Sequence, residues 1–414
     1  DKGKPNLIII FADDQGYQDL GCFGSPLIKT PNIDRMAEEG MRFTDFYSAS
    51  SVCTPSRAAL LTGCYPARAG QLPVLFPDSK VGFNPEETNI ANLLKRRGYA
   101  TACVGKWHLG HRKKFLPTSQ GFDYYFGIPY SNDMGPSRDT VYSDDCNWRE
   151  GVTEAKLKKA FSSSKGGRYK GFKSKVPLMR NTECVEFPAD QTTLTKRYTE
   201  EAVKFITKNK DNPFFLYLPH TMPHIPLFAS EKFKGTSERG LYGDVIEEMD
   251  WCVGEILKTL KKHGIDDNTL VIYTSDNGPW LRFGKDGGCA LPLRDGKFSV
   301  YEGGMREPCV MWWPGRIPAG KECSEVCGTI DILPTIARLS GGPVDTEKVI
   351  DGKNIWPLMS GKKGAKSPHD VYYYCRRDSK RIVAVRKGKW KLHLPKRKRG
   401  IELYDLSDDI SESK

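Results

Sequence analysis

The sequence predicts an α/β fold, in which helices flank a large, doubly wound and mostly parallel sheet and a small antiparallel sheet follows near the C-terminal end. Three observations predict this class. Short apolar runs rich in β-branched and aromatic residues recur along the chain, as in strands covered on both faces. Segments with helical periodicity lie between these runs. After about residue 365 the pattern changes to short strand-like runs separated by basic turns.

Four apolar runs are predicted as core strands, at residues 6–11, 99–104, 214–218 and 270–274. Each leads directly into polar residues that can carry chemistry. In open sheets of this class, ligands bind beyond the carboxyl ends of the strands. The four polar clusters are therefore expected to converge on one site.

Helices are predicted between the strands, and the first two end in Gly40 and Gly98, which are interpreted as C-cap glycines. The alternation assigns residues 1–365 to one large α/β domain and residues 366–414 to a small antiparallel subdomain. The predicted helices are residues 30–40, 89–98, 192–208 and 242–264, and the predicted strands of the subdomain are residues 370–375, 381–386 and 389–394.

The net charge of +12 comes from 63 basic and 51 acidic residues and is unevenly distributed. Residues 146–175 carry much of the excess, and residues 396–399 form a second basic cluster. Neither segment accompanies a helix-turn-helix, zinc-finger or RNA-recognition pattern, so nucleic acid is not the expected partner. Two interpretations stay open, a set of solvated loops and a groove for a polyanionic substrate.

Two further classes are excluded by the composition. The apolar runs are far shorter than the ~18 residues that cross a bilayer, so no membrane span is expected, and any signal peptide is expected to have been removed. The 12 cysteines are spread singly, without the paired spacing of a zinc site. The spacing of the cysteines therefore predicts neither a metal site nor a disulfide pattern.

Oxygen-bearing side chains after the first and fourth core strands are candidate metal ligands. Without sulfur, and with no histidine nearby, they suit a hard cation, calcium or magnesium. Residues 275–278 alone are typical of a turn. Two adjacent carboxylates at a strand end, however, repel each other unless a cation joins them, which favours a metal. The four candidates are Asp13, Asp14, Asp276 and Asn277.

Residues 51–63 place a cysteine at the start of a predicted helix. Pro55 suits the first helical turn, so Cys53 would lie at the amino end, where unpaired N–H groups favour an anion. Arg57, one turn further, can direct its guanidinium at a tetrahedral oxyanion. A thiolate phosphatase loop has more residues between its cysteine and arginine than the three found here. The other alternative is a buried structural cysteine.

The chain resembles the type I sulfatases, which are formylglycine-dependent members of the alkaline-phosphatase-like superfamily, and is most similar to the arylsulfatase A and galactosamine-6-sulfatase branch. The motif Cys53-x-Pro55-Ser56-Arg57 carries the resemblance, together with residues 105–110 and 301–308. The resemblance implies that a formylglycine-generating or anaerobic sulfatase-maturing enzyme oxidises Cys53 to formylglycine. One hydroxyl of the hydrated aldehyde would attack sulfur, and loss of a proton from the other would expel sulfate.

The resemblance also implies roles for the remaining candidates. Lys106 and Lys297 would bind sulfate oxygens, and Ser131 matches a polar residue on the sulfate side. His108 would act on the second hydroxyl, and His224 would be the general acid for the leaving alcohol. Arg57 would orient the diol. The implied calcium ligands are Asp13, Asp14, Asp276, Asn277 and the modified Cys53.

Three features are not settled by the resemblance. His220 either faces the sugar or caps its own loop. The basic insert, residues 149–175, departs from the animal relatives and is the best candidate for recognising additional sulfates or uronates. The chain stops soon after residues 403–406, a stretch that usually leads into a final helix, so the small subdomain is expected to be truncated or to lack its closing element.

The sequence therefore predicts a sulfuric ester hydrolase that acts on a sulfated carbohydrate and is periplasmic or secreted. Two alternatives are kept. One is a phosphonate or phosphodiester hydrolase on the same scaffold, which would want further Asp or His ligands for a second metal. The other is a non-catalytic protein that binds sulfated glycans while Cys53 stays a thiol.

Overall fold

Strand β1, Asn6–Ala12, lies inside the large sheet, and all of its residues are buried. Its side chains alternate between two cores: Leu7, Ile9 and Phe11 pack on one face, Ile8 and Ile10 on the other. Because both faces are covered, a continuous apolar run encodes this strand. The structure is a computed structural model that describes residues 3–70, 72–163, 169, 171–376, 381–395 and 400–414.

These described residues contain the following strands and α-helices. The strands are β1 (Asn6–Ala12), β2 (Met41–Tyr47), β3 (Ala100–Val104), β4 (Tyr124–Gly127), β5 (Tyr142–Trp148), β6 (Leu178–Arg180), β7 (Glu183–Phe187), β8 (Phe214–Pro219), β9 (Thr269–Ser275), β10 (Arg306–Trp312), β11 (Lys321–Cys323), β12 (Cys327–Gly328), β13 (Tyr372–Cys375), β14 (Ile382–Lys387), β15 (Trp390–His393) and β16 (Glu402–Asp405). The helices are α1 (Pro31–Glu38), α2 (Cys53–Thr62), α3 (Ile90–Arg96), α4 (Glu154–Ser163), α5 (Leu194–Lys208), α6 (Leu241–Lys262), α7 (Glu302–Met305), α8 (Ile332–Leu339) and α9 (Trp356–Met359).

The large sheet has the strand order β11-β2-β10-β9-β1-β8-β3-β4-β6-β7-β5, with β12 also paired to β2. Strands β9, β1, β8, β3 and β4 run parallel, whereas β10 is antiparallel to both β9 and β2. The predicted fold class is confirmed. The four predicted core strands are β1, β3, β8 and β9, which are neighbours, so their carboxyl ends meet at one edge of the sheet.

Helices cover both faces of this sheet: α2, α3 and α8 pack on one side, and α1, α5 and α6 on the other. Gly98 adopts the left-handed conformation expected of a C-cap, with φ of 81°. The same interpretation of Gly40 is wrong. An added Cβ there would lie 2.4 Å from the Met311 carbonyl oxygen, so glycine lets the end of α1 approach β10 closely.

The small sheet is an antiparallel meander in the order β13-β14-β15-β16. Three of its strands match the predicted runs, and β16 forms from a stretch for which no strand was predicted. Tyr372 and Tyr374 pack against Tyr47 and Met305, so one core joins the small sheet to the large one. The basic cluster at residues 396–399 lies outside the described residues.

A buried carboxylate near the end of the chain ties the two sheets together. Glu412 is fully buried, and its Oε1 lies 2.9 Å from Lys391 Nζ and 2.8 Å from His393 Nε2. Its Oε2 accepts a 2.6 Å hydrogen bond from the backbone N–H of Glu302, and Arg294 donates to its carbonyl oxygen at 2.6 Å. Both ends of the segment between Arg294 and Glu302 are therefore held by this tail.

The basic insert contains α4, and its residues 164–168 and 170 lie outside the described residues. Two of its cations form partly exposed ion pairs, Arg149 with Asp190 at 3.1 Å and Lys175 with Glu150 at 3.0 Å. Such pairs contribute little to stability. Across the part of the chain that the structure describes, no helix is both long and apolar enough to cross a membrane.

Candidate active site

Carboxylates from the ends of β1 and β9 meet at the edge of the sheet. Asp13, Asp14 and Asp276 are buried, and their nearest ligand atoms all lie within 4.8 Å of one another. Asp14 has a φ of 65°, and its backbone N–H donates to Asp276 Oδ1 at 3.1 Å, which fixes the turn after β1. Asn277 donates to Asp14 Oδ1 at 2.7 Å. The Oδ1 atom of Asn277 is buried with no hydrogen-bond partner among the described residues, and so is left to bind something else.

Three buried cations face these carboxylates. Arg57 Nη2 lies 2.8 Å from Asp276 Oδ2 and 3.2 Å from Asp13 Oδ1. Lys106 donates to Asp13 Oδ2, and Lys297 donates to Asp14 Oδ2 at 2.6 Å. Three positive charges thus balance three negative ones, which offsets the cost of burying them.

The carboxylates differ in how easily they hold a proton. Burial, reinforced by the charge of Asp13, raises the pKa of Asp276 to about 7. Burial also raises the pKa of Asp14. For Asp13, burial acts in the same direction, but the charges of Lys106 and Arg57 outweigh it and the pKa is lowered. A cation that binds the cluster near pH 7 would therefore compete with a proton on Asp276.

Cys53 lies at the first position of α2, as predicted. Val52 before it is extended, with φ of −148°, so the helix begins abruptly and its first N–H groups point into the site. Ser56 Oγ donates to the Asp276 carbonyl oxygen at 2.5 Å, which ties the helix to the end of β9. Burial raises the pKa of the Cys53 thiol despite the nearby lysines. An unmodified Cys53 is therefore a neutral thiol at pH 7, which disfavours a thiolate phosphatase mechanism.

His224 lies within a hydrogen-bonded chain that starts at Lys106. Lys106 Nζ donates to Ser131 Oγ at 2.9 Å, and Ser131 Oγ lies 3.2 Å from His224 Nε2. His224 Nδ1 faces two acceptors, Asn132 Oδ1 at 3.0 Å and the Ile225 carbonyl oxygen at 2.6 Å, so we assign the ring hydrogen to Nδ1. Ser131 then donates to Nε2. Burial lowers the pKa of His224 and keeps the ring neutral in this arrangement.

Two outcomes here depart from the sequence interpretation. His224 Nε2 is 3.6 Å from Asp14 Oδ2, so the expectation of no histidine near the aspartates is wrong. The parallel pairing of β1 with β8 brings this distant histidine to the cluster. Asn132, which orients the His224 ring, was not predicted. Its position next to Ser131 was the only signal in the sequence.

The other two predicted histidines are also buried. His108 has a φ of 56°, and its Nε2 lies 2.8 Å from the Leu75 carbonyl oxygen, so Nε2 carries the hydrogen and Nδ1 has a free lone pair. Burial lowers its pKa well below the usual range. Burial lowers the pKa of His220 to about 3, and neither of its ring nitrogens has a hydrogen-bond partner among the described residues. The alternative that this ring caps its loop therefore has no support.

The fold, together with a cysteine-headed helix facing buried lysines and carboxylates, is suited to a hydrolase of anionic esters. The chain belongs to the sulfatase family: the family model described as sulfatase matches residues 5–342, and a model described as the C-terminal region of N-sulphoglucosamine sulphohydrolase matches residues 294–414. The predicted family and enzyme class are confirmed.

Individual relatives agree with this assignment. The chain is 41% identical to arylsulfatase A of Homo sapiens, over 94% of this chain and 74% of the relative. It is 39% identical to N-acetylgalactosamine-6-sulfatase of Canis lupus familiaris, over 94% and 71%. The crystal structure of Ps i-CgsB in complex with k-i-k-neocarrahexaose matches with a TM-score of 0.80 at 33% identity, covering 99% of this chain and 88% of that one.

Proposed function

We propose that this sulfatase removes an O-sulfate group from a sulfated mono- or oligosaccharide, using calcium and a formylglycine made from Cys53 by a separate maturing enzyme. The observation that carries the proposal is the position of Cys53 at a helix N-terminus, opposite Lys106, Lys297 and three carboxylates. Among the relatives, one is named for N-acetylgalactosamine 6-sulfate and another was solved with an oligosaccharide. Such charged substrates do not cross membranes unaided, which supports a periplasmic or secreted enzyme.

The residues at the end of the sheet fit the proposed calcium. The donor set is all oxygen, three carboxylates lie within 4.8 Å of one another, and the Asn277 Oδ1 atom has no hydrogen-bond partner among the described residues. Bound calcium would neutralise sulfate oxygens and lower the pKa of the nucleophile. The residues that would hold it are Asp13, Asp14, Asp276, Asn277 and the modified Cys53.

The remaining side chains bind the sulfate and move protons. Lys106 and Lys297 contact sulfate oxygens, and Ser131 adds a hydroxyl on the same side. His224 donates a proton from Nε2 to the leaving oxygen, while Asn132 holds the other nitrogen. Sulfate bound next to the ring favours the protonated form that this donation needs.

Two side chains serve the nucleophile. His108 accepts a proton at Nδ1, which has no other partner among the described residues. Arg57 orients the modified side chain from the first turns of α2. His220 is proposed to face the sugar, because its buried ring nitrogens have no hydrogen-bond partner among the described residues.

The basic insert is proposed to recognise further sulfates or uronates on the glycan. Gln191 supports this, because its Nε2 donates to the carbonyl oxygens of Asn132 and Ser174, at 3.1 and 2.8 Å. The end of the insert is thereby tied to the turn that carries Ser131.

We also propose that the chain is divided into a catalytic domain, residues 1–365, and a small subdomain, residues 366–414.

The test of the proposed function is product release from matched substrates. Ion chromatography would measure free sulfate and free phosphate from sulfated and phosphorylated mono- and oligosaccharides with calcium present. We expect sulfate alone, from one regioisomer in preference to the others. Faster release of phosphate would favour the phosphonate or phosphodiester alternative, and release from aryl or steryl sulfates without any release from sugars would contradict the carbohydrate assignment.

Calcium affinity is expected to fall as the pH falls. Because the raised pKa of Asp276 is about 7, this carboxyl holds a proton below pH 7 that calcium must displace. With one competing proton, the affinity at pH 6 should be about tenfold weaker than at pH 8. Isothermal titration calorimetry at these two pH values, in buffers of different ionisation enthalpy, would measure both the affinity and the proton released. An affinity that does not change with pH would contradict the prediction.

The proposed role of His224 can be tested by comparing substrates whose leaving groups differ in their need for a proton. Replacing His224 with alanine is expected to lower kcat/KM for a sugar sulfate by about 10²–10⁴-fold, because an alkoxide cannot leave without a proton. The loss should be much smaller for 4-nitrophenyl sulfate, whose phenolate leaves unprotonated. His369→Gln is the matched control, since His369 is a partly buried histidine paired with Asp331 at 2.7 Å outside the site. Equal losses for the two substrates would show that His224 is not the general acid.

A further inference from the structure

Aromatic side chains form a wall beside the lysine that contacts Asp14. The Trp280 ring centroid lies 4.4 Å from Lys297 Nζ and 5.5 Å from the centroid of the His224 ring. Phe283 and Phe298 meet the Trp280 ring edge to face, at centroid distances of 4.8 and 5.5 Å. We call Trp280, Phe283 and Phe298 the aromatic wall.

The aromatic wall is not part of the buried core. Phe298 is 41% exposed, the adjoining Leu281 is 44% exposed, and Trp280 and Phe283 are partly exposed. Clustered apolar surface of this kind, next to a pocket of charges, commonly marks a ligand-binding site. The indole Nε1 of Trp280 is itself buried and has no hydrogen-bond partner among the described residues. What the wall offers a ligand is therefore its apolar surface.

Backbone hydrogen bonds connect the aromatic wall to the segment that leads into Cys53. The Phe298 N–H donates to the Ser51 carbonyl oxygen at 2.9 Å, two residues before Cys53, and the Lys297 N–H donates to the Pro279 carbonyl oxygen at 2.9 Å. Phe298 has a φ of 74°, in the left-handed region that is unfavourable for a residue with a bulky side chain. Strain of this kind persists where the surrounding structure fixes a side chain in a required position.

We infer that the aromatic wall binds the apolar face of the pyranose ring that carries the sulfate. A sulfate held by Lys297, with its bridging oxygen at His224, leaves the carbon skeleton of the substrate beside Trp280, because Trp280 contacts both residues. The C–H-rich face of a pyranose stacks on aromatic surface of this kind. The inference rests on the proposed carbohydrate sulfatase function and adds the residues that select the ring.

The experiment compares two substrates that differ only in the ring. One is a hexopyranoside monosulfate, taken as the regioisomer that the wild-type enzyme hydrolyses fastest, and the other is the acyclic hexitol sulfate with the same sulfated carbon. We expect Phe298→Ala to lower kcat/KM for the pyranoside about tenfold more than for the hexitol, mainly through KM. Trp280→Phe, which keeps one six-membered aromatic ring and removes the rest of the indole surface, should change the same ratio in the same direction. Trp390→Ala is the matched control, because Trp390 is a 46% exposed aromatic residue in the small sheet.

The outcomes separate this inference from the function on which it rests. Equal losses on the two substrates, or no loss on either, would overturn the aromatic wall as a sugar subsite while leaving wild-type sulfate release from sugars intact. A wild-type enzyme that hydrolyses steryl sulfate and no pyranoside sulfate would overturn both the carbohydrate assignment and the sugar subsite. A Phe298→Ala loss confined to steryl sulfate would assign the wall to an apolar alcohol and also overturn the inference.

Discussion

Replacing Cys53 with alanine is expected to abolish sulfate release, with a loss of at least about 10⁴-fold in kcat, because the variant has no side chain that can become the nucleophile. The fold should survive, since the change shortens one small side chain at the start of α2 and leaves the backbone N–H groups in place. Sulfate release by ion chromatography measures the effect, and thermal unfolding checks the fold. Mass spectrometry of the peptide that contains residue 53 would establish whether the wild-type sample carries the modification.

Cys252→Ala is the matched control. Cys252 is equally buried but lies on α6, within the core on the opposite face of the sheet from α2. It should lose about 1 kcal/mol of stability and keep its activity. If Cys53→Ala retained more than a hundredth of the wild-type rate, the nucleophile would have to be another group.

Replacing Asp276 with asparagine is expected to lower calcium affinity by at least about 100-fold and sulfate release by about 10³-fold. The variant removes one of three clustered carboxylates, and among the described residues it leaves the buried Arg57 with Asp13, 3.2 Å away, as its remaining acidic partner. Titration calorimetry measures the affinity, and sulfate release measures the activity. Excess calcium should raise the unfolding temperature of the wild type but not of the variant.

A matched aspartate separates the loss of calcium from a general loss of packing. Asp250 is also buried, and it accepts hydrogen bonds from the backbone N–H groups of Asn32 and Ile33 at the start of α1. Asp250→Asn should lower stability while calcium still raises its unfolding temperature. If calcium stabilised Asp276→Asn as strongly as the wild type, the proposed ligand set would be wrong.

The central part of the fold could be predicted because its strands carry their own signal. β1, β3, β8 and β9 are buried on both faces, so each is a continuous apolar run that the next residues interrupt sharply. The polar residues that follow two of these strands include the candidate metal ligands, so these could be predicted to lie at one edge of the sheet. By contrast, the glycine after α1 is required by the approach of β10, a strand more than 260 residues away, and no local pattern encodes that contact.

The missed parts of the candidate site depend on contacts between distant segments. Asn132 matters because His224 arrives beside it, and Trp280 matters because Lys297 and His224 lie against its ring. Neither residue belongs to a pattern that distinguishes it from an ordinary loop residue. Residues whose role is to orient or to stack have no required spacing, whereas ligands that follow strands do.

The buried Glu412 holds both ends of a segment that contributes to the candidate site. Cleavage between Asp409 and Glu412 would leave Lys391 and His393 without this carboxylate and would release the backbone contacts of Arg294 and Glu302. The segment between those two residues carries Lys297 and Phe298. Cleavage there is therefore expected to weaken the proposed binding of sulfate and sugar while the large sheet stays intact, so activity should be lost before the fold is lost.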